Sequence, residues 1–491
     1  MTLDDVREHH RIFIAAFVTS LIVFAYSLTN FALHIDDEFL LVPGAYGGDV
    51  ALGRWGTTLL HSTVLPQAFV PFFTPAVSLG LWAISAVVAS LALDITRSTR
   101  YLFVTLYTAF PAFAYQLEFP FQSDCVALGV VCATLSYRFV TEAMICRKGR
   151  FTKLSASVAF LTFGVSFYQS ILFVPSTITL VACLSRVAMG RSTARETAVA
   201  LWSTFVLMLV SYGACSVIGI IVQRQTGIPH AAWMQYMVGW GRIPWREALP
   251  DAASAFGRTA LGGTFYGNGI YATCWVAACV VLVRTIMQGG SLYRGLLTAA
   301  LLLTSLLSPF IGILVLGVDQ APRTYLAEAV AFAGIWAVAI EQLRERFVPI
   351  SAVMAAAILY GCYHVSNLFF SDTMAYEADT MLGSRIVDAL YRSNAEFDER
   401  NVPVLFSGAT SPTMIWRHDD FGVFGSSFFA WDGGNPSRIV AFLKAAGIAS
   451  LRIPDAVQTA ASTAEVAAMP EWPNPHSVRS SHGVMIVKLG K

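Results

Sequence analysis

The chain has 491 residues, of which 56% are hydrophobic and 13% are charged. Soluble globular proteins average about 45–50% apolar and about 25% charged residues, so this composition indicates a polytopic membrane protein. The length exceeds that of one ordinary globular domain. The formal net charge is +1, and the sequence contains no basic tract of the kind that binds nucleic acid, which excludes that class of partner.

An apolar stretch of about 20 residues crosses the bilayer as a helix. By that rule the sequence predicts roughly eleven spans, with approximate limits 11–33, 73–93, 101–115, 123–142, 154–168, 170–189, 198–222, 267–287, 295–316, 325–341 and 348–370. The first is too long for a signal-peptide core and has no small-residue cleavage site after it, so we expect it to remain as an anchor.

Positive charge is distributed unevenly between the predicted loops, and this bias sets the orientation. One side carries most of the arginines and lysines, including Arg7, Arg97, Arg147, Lys148, Arg191 and Arg344. The other side has only Arg54 and Arg323, plus four arginines in one long loop: Arg224, Arg242, Arg246 and Arg258. The N-terminus is therefore predicted to be cytoplasmic in an inner, cytoplasmic membrane. The loops 34–72 and 223–266 and everything after residue 370 would then face outward, to the periplasm.

Both long outward loops carry aromatic residues. In the first, Leu52, Trp55, Leu59 and Leu60 recur at helical spacing, which predicts an amphipathic helix over 50–65 on the membrane interface. The second contains Trp233, Tyr236, Trp240, Trp245 and Phe265. These side chains fit either a plain interfacial belt or a groove that admits a lipid chain or a sugar.

The last segment, 371–491, is polar enough to fold in water, which gives two predicted domains, 1–370 and 371–491. Helices are predicted at 373–395 and 437–446, and strands at 402–406, 450–453 and 484–489. The second domain is therefore expected to be a small extracytoplasmic α/β domain. All eight cysteines lie in or beside the apolar runs of the first domain, so free, buried thiols are expected rather than disulfides.

Three consecutive acids, Asp36, Asp37 and Glu38, follow the first predicted span. Carboxylates at an apolar boundary are costly without partners, so they are either solvated or used. A carboxylate there can act as a general base on a hydroxyl. A divalent metal is a further use of such a cluster, but no second set of ligands at suitable spacing supports it, and no cofactor is expected.

The outward arginines Arg54 and Arg323 suit a phosphate group, because a guanidinium is bidentate and fixed in charge. An arginine at the head of a span also commonly only snorkels to the interface. Other polar or aromatic groups at the same predicted level are candidate substrate contacts: Glu38, Trp55, Glu118, Tyr168, Gln169 and Asp319.

Several common catalytic motifs are absent from the sequence. There is no Gly-x-x-x-x-Gly-Lys-Ser/Thr, no His-Glu-x-x-His, no Gly-x-Ser-x-Gly and no Cys-x-x-Cys. The spans contain few charged residues, which argues against a proton or ion relay.

In order along the chain, several short motifs resemble the bacterial Gtr-type O-antigen glucosyltransferases. These are the Asp36-Asp37 pair, Gly53-Arg54-Trp55, Tyr168-Gln169, Pro322-Arg323 and an ending with Met469-Pro470 followed by Gly483 to Leu489. The resemblance extends over nearly the whole chain.

That resemblance implies a GT-C-class membrane glycosyltransferase that takes a hexose, with glucose expected, from a polyprenyl phosphate. The acceptor would be a hydroxyl of a surface glycan such as O-antigen, and the anomeric carbon would be inverted. The base would fall on Asp36 or Asp37, and the phosphate-facing arginines on Arg54 and Arg323.

A transporter or flippase of a lipid-linked sugar is the alternative from another class. Such proteins usually show inverted repeats and broken spans, and no internal repeat is visible here. The sequence leaves open the donor sugar, the acceptor and linkage, the choice between the two aspartates, the need for a metal, the oligomeric state and the role of the C-terminal domain.

Overall fold

The computed structural model describes residues 3–40, 47–65, 69–289, 291–343, 349–417 and 422–490. The chain forms two compact units. The first, here called the membrane unit, comprises Met1–Thr29 and Tyr46–Ser366, and the second, the C-terminal unit, comprises Asn30–Ala45 and Asn367–Lys491. The sequence analysis divided the chain at 370/371 and assigned 30–45 to the first domain, whereas these residues belong to the compact C-terminal unit.

The described part of the chain is mostly helical. The first ten helices are α1 (Leu3–Val23), α2 (Ala25–Thr29), α3 (Asp37–Leu40), α4 (Gly47–Ala51), α5 (Trp55–Thr63), α6 (Phe73–Ser90), α7 (Arg97–Thr108), α8 (Ala114–Leu117), α9 (Pro120–Ile145) and α10 (Arg150–Val165). The next eight are α11 (Val174–Ala188), α12 (Ala194–Thr226), α13 (Trp245–Ala260), α14 (Thr273–Met287), α15 (Leu292–Leu307), α16 (Ile311–Leu316), α17 (Glu328–Leu343) and α18 (Ile350–Ser393).

Within the described ranges, seven helical stretches are long and apolar enough to cross a membrane: Phe73–Ser90, Pro120–Ile145, Gln169–Ala188, Ala194–Thr226, Asn268–Met287, Leu292–Leu316 and Ile350–Ser393. They confirm the membrane character and the helical fold class. The other four predicted spans also coincide with helices, but α7, α10 and α17 are shorter than 18 residues, and α1 begins with several charged residues. The count of eleven spans stays a prediction.

Small residues allow the closest helix contacts of the membrane unit. Where α9 meets α10, a Cβ on Gly129 would lie 3.0 Å from the Gly164 carbonyl oxygen, and one on Gly164 would lie 2.9 Å from that of Gly129. Helices in membranes associate through such close packing because lipid offers no hydrophobic driving force between them. Helix α9, which begins two residues after the candidate Glu118, is thereby part of a tightly packed helix pair.

The described parts of the loops 34–72 and 223–266 contain more regular structure than the sequence suggested. The single helix predicted over 50–65 is wrong in extent, because Gly53 has a φ of +74° and turns the chain between α4 and α5. In the second loop, α13 buries Ala248, Ala252 and Ala255 along one face. This small-residue spacing is helical, but the sequence analysis recognised only the aromatic side chains around it.

The C-terminal unit combines the last helices with a three-stranded sheet. Its further elements are α19 (Pro436–Ala445), α20 (Ala456–Ala468), β1 (Val404–Ser407), β2 (Val478–Ser481) and β3 (Val484–Lys488). The strand order is β1-β3-β2, with β1 parallel and β2 antiparallel to β3. In register, Leu405 faces Ile486 across the parallel pair. A small strand-containing unit is confirmed in this region.

Two strand assignments differ from the sequence analysis. The strand predicted over 450–453 is wrong: one backbone hydrogen bond, from Val404 N to the Arg452 carbonyl (2.8 Å), joins this stretch to β1, and Pro454 follows it. Strand β2 was missed because its sequence, Val-Arg-Ser-Ser, lacks apolar alternation, as suits a strand on the outer side of the sheet.

The core of the C-terminal unit includes residues from the beginning of the chain. Leu33 and Ile35 are buried with Ile386 and Leu390 of α18 and with side chains of α19 and the sheet. Burying an aliphatic side chain contributes about 1.5–3 kcal/mol. The segment that carries the three consecutive acids is therefore a structural part of this unit.

Gly408, Gly434 and Gly490 allow backbone segments to approach closely at the end of the sheet. Gly408 has a φ of +76°, and a Cβ there would overlap the backbone of Gly490; one on Gly434 would overlap the Gly408 carbonyl. Gly447 also has a positive φ, +70°, but no atom lies within 4 Å of its Cβ position.

We expect Gly408→Ala to destabilise the C-terminal unit more than Gly447→Ala. The left-handed backbone alone costs an L-residue about 1–2 kcal/mol, and only Gly408→Ala adds a backbone overlap. Hydrogen–deuterium exchange of the full chain should show faster exchange of the β1 and β3 amides in Gly408→Ala than in Gly447→Ala. Equal exchange in the two variants would contradict the close approach.

Candidate functional site

The acid segment occupies an unusual backbone turn in the C-terminal unit. Asp36 has a φ of +84°, a region that non-glycine residues rarely adopt and that is often found where function requires it. Asp37 then begins α3, and its backbone N–H donates to the His34 carbonyl at 3.0 Å, which closes a turn over residues 34–37. The turn is anchored by the burial of Leu33 and Ile35 before it.

Arg438 of α19 holds this turn by contacting three carboxylates. Its Nη1 donates a hydrogen bond to Glu38 Oε1, and its Nη2 donates to Asp36 Oδ1 at 3.1 Å and to Asp432 Oδ2 at 3.0 Å. The guanidinium also lies over the Phe39 ring, 5.2 Å from its centroid. Arg438 therefore fixes the acid segment through charge, hydrogen bonds and stacking together.

The three acids of the segment differ in exposure. The Asp36 side chain is 43% exposed, whereas that of Glu38 is fully buried and Asp37 is 1% exposed. Burial raises the pKa of Glu38 to about 8, against the opposing charge of Arg438. Asp36 is thus the one acid of these three whose carboxylate is open to solvent.

Asp37 and His34 form a second part of the same turn. Asp37 Oδ2 accepts a hydrogen bond from the His34 backbone N–H at 2.9 Å, and burial raises the Asp37 pKa to about 7. His34 Nδ1 lies 2.7 Å from Asp372 Oδ2, and Asp372 Oδ1 accepts from the Gly425 N–H at 2.6 Å. Burial lowers the His34 pKa, but Asp372 outweighs it, so the net direction is upward. These contacts indicate that Asp37 and His34 stabilise the backbone turn at Asp36.

In the membrane unit, the Gly-Arg-Trp and Tyr-Gln motifs meet. Arg54 lies over the Tyr168 ring, with Cζ 4.6 Å from the centroid, and its Nη1 donates to Gln122 Oε1 at 2.9 Å. Gln169 Nε2 donates to the Leu52 carbonyl at 2.8 Å, just before Gly53. The sequence analysis named both motifs separately, and the structure brings them together.

One donor of Arg54 remains unused. Its Nε is buried and has no hydrogen-bond partner among the residues that the structure describes. Buried donors are nearly always paired in folded proteins. An unpaired guanidinium donor next to a stacked tyrosine is therefore available to a ligand oxygen.

Arg323 reaches the residues that precede α9. Its guanidinium lies over the Phe119 ring at 4.6 Å, and its backbone carbonyl accepts a hydrogen bond from Gln116 Nε2 at 2.6 Å. Phe119 and Gln122, which contact Arg323 and Arg54 respectively, are only three positions apart. The Gln122 backbone N–H donates to the Phe119 carbonyl at 3.1 Å, so both arginines contact the same short turn at the start of α9.

The remaining candidates have diverse surroundings. Trp55 packs against Phe163, and its Nε1 donates to the Cys215 carbonyl at 3.3 Å, so it serves helix packing. Glu118 is buried beside Phe119. Asp319 is exposed and accepts from the Gln320 N–H at 2.8 Å.

A compact set of metal-ligating side chains lies between α5 and α9. His61 Nε2 is 3.4 Å from Cys125 Sγ and 3.5 Å from Asp124 Oδ1, and all three residues are buried. The sequence analysis missed this set, as it missed Arg438 and Gln122. Adjacent Asp124-Cys125 was the only local signal, because His61 lies more than 60 positions away.

Comparison with known proteins identifies the family of this chain. The family model of glucosyl transferase GtrII matches residues 25–340, a range that contains the acid segment, both arginines and the Tyr168-Gln169 motif. A search of curated proteins finds no match for the chain. Because the family model covers more than half of the chain, this protein belongs to the GtrII glucosyl transferase family.

Proposed function

We propose that the protein transfers glucose from a polyprenyl phosphate to a hydroxyl group of a surface glycan, with inversion at the anomeric carbon. The family supplies the glucosyltransferase activity. The observation that carries the choice of donor is the pair of arginines, Arg54 and Arg323, on one turn at the start of α9. The unpaired Nε of Arg54 supports a phosphate oxygen as its acceptor.

The proposed step is a single displacement. The acceptor oxygen attacks the anomeric carbon as its proton passes to a carboxylate, and the bond from that carbon to the phosphate oxygen breaks. The departing polyprenyl phosphate carries the negative charge, which the two arginines stabilise. Since a phosphate is already a good leaving group, the protein has to supply a base, cations and alignment rather than a strong acid.

We assign the base to Asp36. Its side chain is accessible, and Arg438 and the left-handed backbone turn set its direction. Asp37 is buried and bonded to the His34 backbone, which fits support of the turn. The outward side of an inner membrane remains the proposed location, and O-antigen is the proposed class of acceptor.

Asp36→Asn should lower kcat by about 10²–10⁴-fold, the usual contribution of a general base. Asp432→Asn is the matched control, because Asp432 is a half-exposed carboxylate that contacts the same Arg438 nitrogen. The assay is the glucose mass gained by an acceptor glycan incubated with the purified protein and polyprenyl-phosphate glucose. If Asp432→Asn matched Asp36→Asn, or if Asp36→Asn kept normal turnover, Asp36 would not be the base.

Arg54→Gln should lower kcat/KM for the lipid donor by about 10- to 150-fold, because a hydrogen bond to a charged group contributes about 1.5–3 kcal/mol. Arg242→Gln is the control: Arg242 also stacks on a tyrosine, Tyr236, at 5.7 Å, but it lies in an exposed segment. Equal losses in the two variants would indicate a general effect of charge and would remove Arg54 from the donor site.

Arg438 is proposed as a positioning residue for Asp36. The guanidinium fixes the direction of the Asp36 carboxylate through a hydrogen bond of 3.1 Å, so Arg438→Gln should lower kcat and leave KM for the lipid donor unchanged. Asp432→Asn removes only another contact of the same guanidinium and should leave kcat close to that of the wild type. Equal losses of kcat in the two variants, or a rise in KM with kcat unchanged, would contradict the positioning role.

A further inference from the structure

We propose that His61, Asp124 and Cys125 bind a divalent transition metal ion, with zinc as the best fit. The three side chains come from α5 and from the first turns of α9, and each offers one ligand atom within 4.8 Å of the others. This site is separate from the proposed chemistry of Asp36, and its occupancy does not depend on the transfer reaction.

The distances suit tetrahedral coordination. Zinc bonds nitrogen and oxygen at about 2.0–2.2 Å and sulfur at about 2.3 Å, so its ligand atoms lie about 3.3–3.6 Å from one another. His61 Nε2 lies 3.4 Å from Cys125 Sγ and 3.5 Å from Asp124 Oδ1. Both separations fall in that range.

The donor chemistry and charge also suit zinc. Imidazole and thiolate favour zinc over magnesium or calcium, and a thiolate plus a carboxylate would together neutralise the divalent ion. His61, Asp124 and Cys125 are all at most 4% exposed, and a charge buried to that extent is costly unless it is paired or coordinates a metal. A neutral complex removes this cost.

Two further groups lie around the three ligands. The Thr57 hydroxyl is buried and lies beside the Cys125 thiol. Asp49 of α4 is close enough to His61 for the two charges to interact. A water molecule would complete four-coordination.

Such an ion would connect α5 and α9, the two helices next to Arg54 and its partner Gln122. Arg54 immediately precedes α5, which bears His61, and Gln122 lies two positions before Asp124 on α9. The Arg54–Gln122 hydrogen bond of 2.9 Å therefore joins the same pair of helices as the proposed ion. The expected role is structural: it fixes α5 against the start of α9.

The test uses the full-length protein purified in detergent without chelator. Elemental analysis should find about one zinc per chain. Cys125→Ser should lower zinc affinity by at least about 10–100-fold, because the loss of a direct ligand weakens binding no less than the loss of a group that supports a ligand. Cys132→Ser is the matched control, since Cys132 is buried on the same helix, about 10 Å further along its axis. Equal zinc in the wild type and Cys125→Ser, or equal loss in both serine variants, would overturn the site.

A second measurement needs no variant and so does not depend on how Cys125→Ser folds. Cobalt exchanged into the wild-type protein should give the intense thiolate-to-cobalt charge-transfer band of a cysteine ligand. That band should persist in Cys132→Ser. A wild-type protein that takes up neither zinc nor cobalt at this stoichiometry, or binds cobalt without the thiolate band, would contradict the proposal.

Discussion

The position of the acid segment depends on one buried guanidinium. Arg438 contacts Asp36, Glu38 and Asp432 while remaining 7% exposed. Breaking a buried ion pair by removing one partner costs about 3–5 kcal/mol, because the other charge is left without compensation. Since Leu33 and Ile35 pack in the same unit, apolar burial holds the segment near α19, and Arg438 then selects the direction of its carboxylates.

In the membrane unit, aromatic stacking holds the two candidate arginines in place. Arg54 and Arg323 each stack on an aromatic ring and contact the turn at 119–122, so neither side chain simply extends to the interface. The close packing of Gly129 with Gly164 holds the helix that this turn begins. A rigid helix start with two cations on it is suited to binding a compact anion, and the family assignment gives that anion a chemical context.

Much of this arrangement was predictable from local sequence, and the failures have physical causes. The apolar runs predicted helices at the correct places, and short motifs named Asp36, Arg54, Tyr168 and Gln169 as candidates. Arg438 was not predictable, because an arginine in a soluble amphipathic helix usually remains solvated, and nothing local shows that its partners lie hundreds of positions away. The same limit applies to His61. Pattern reasoning assigned 30–45 to the membrane domain because it considers the chain in order, whereas burial of Leu33 and Ile35 is a tertiary effect.

The long sequence separation within the Arg438 cluster has a consequence for biogenesis. Glu38 and Arg438 lie 400 positions apart, so the acid segment leaves the ribosome well before its cation is synthesised. Until α19 has been synthesised, Leu33, Ile35 and the adjacent acids lack the partners that order them. The observed turn can form only after that helix has been made, which couples maturation of this region to synthesis of the C-terminal unit.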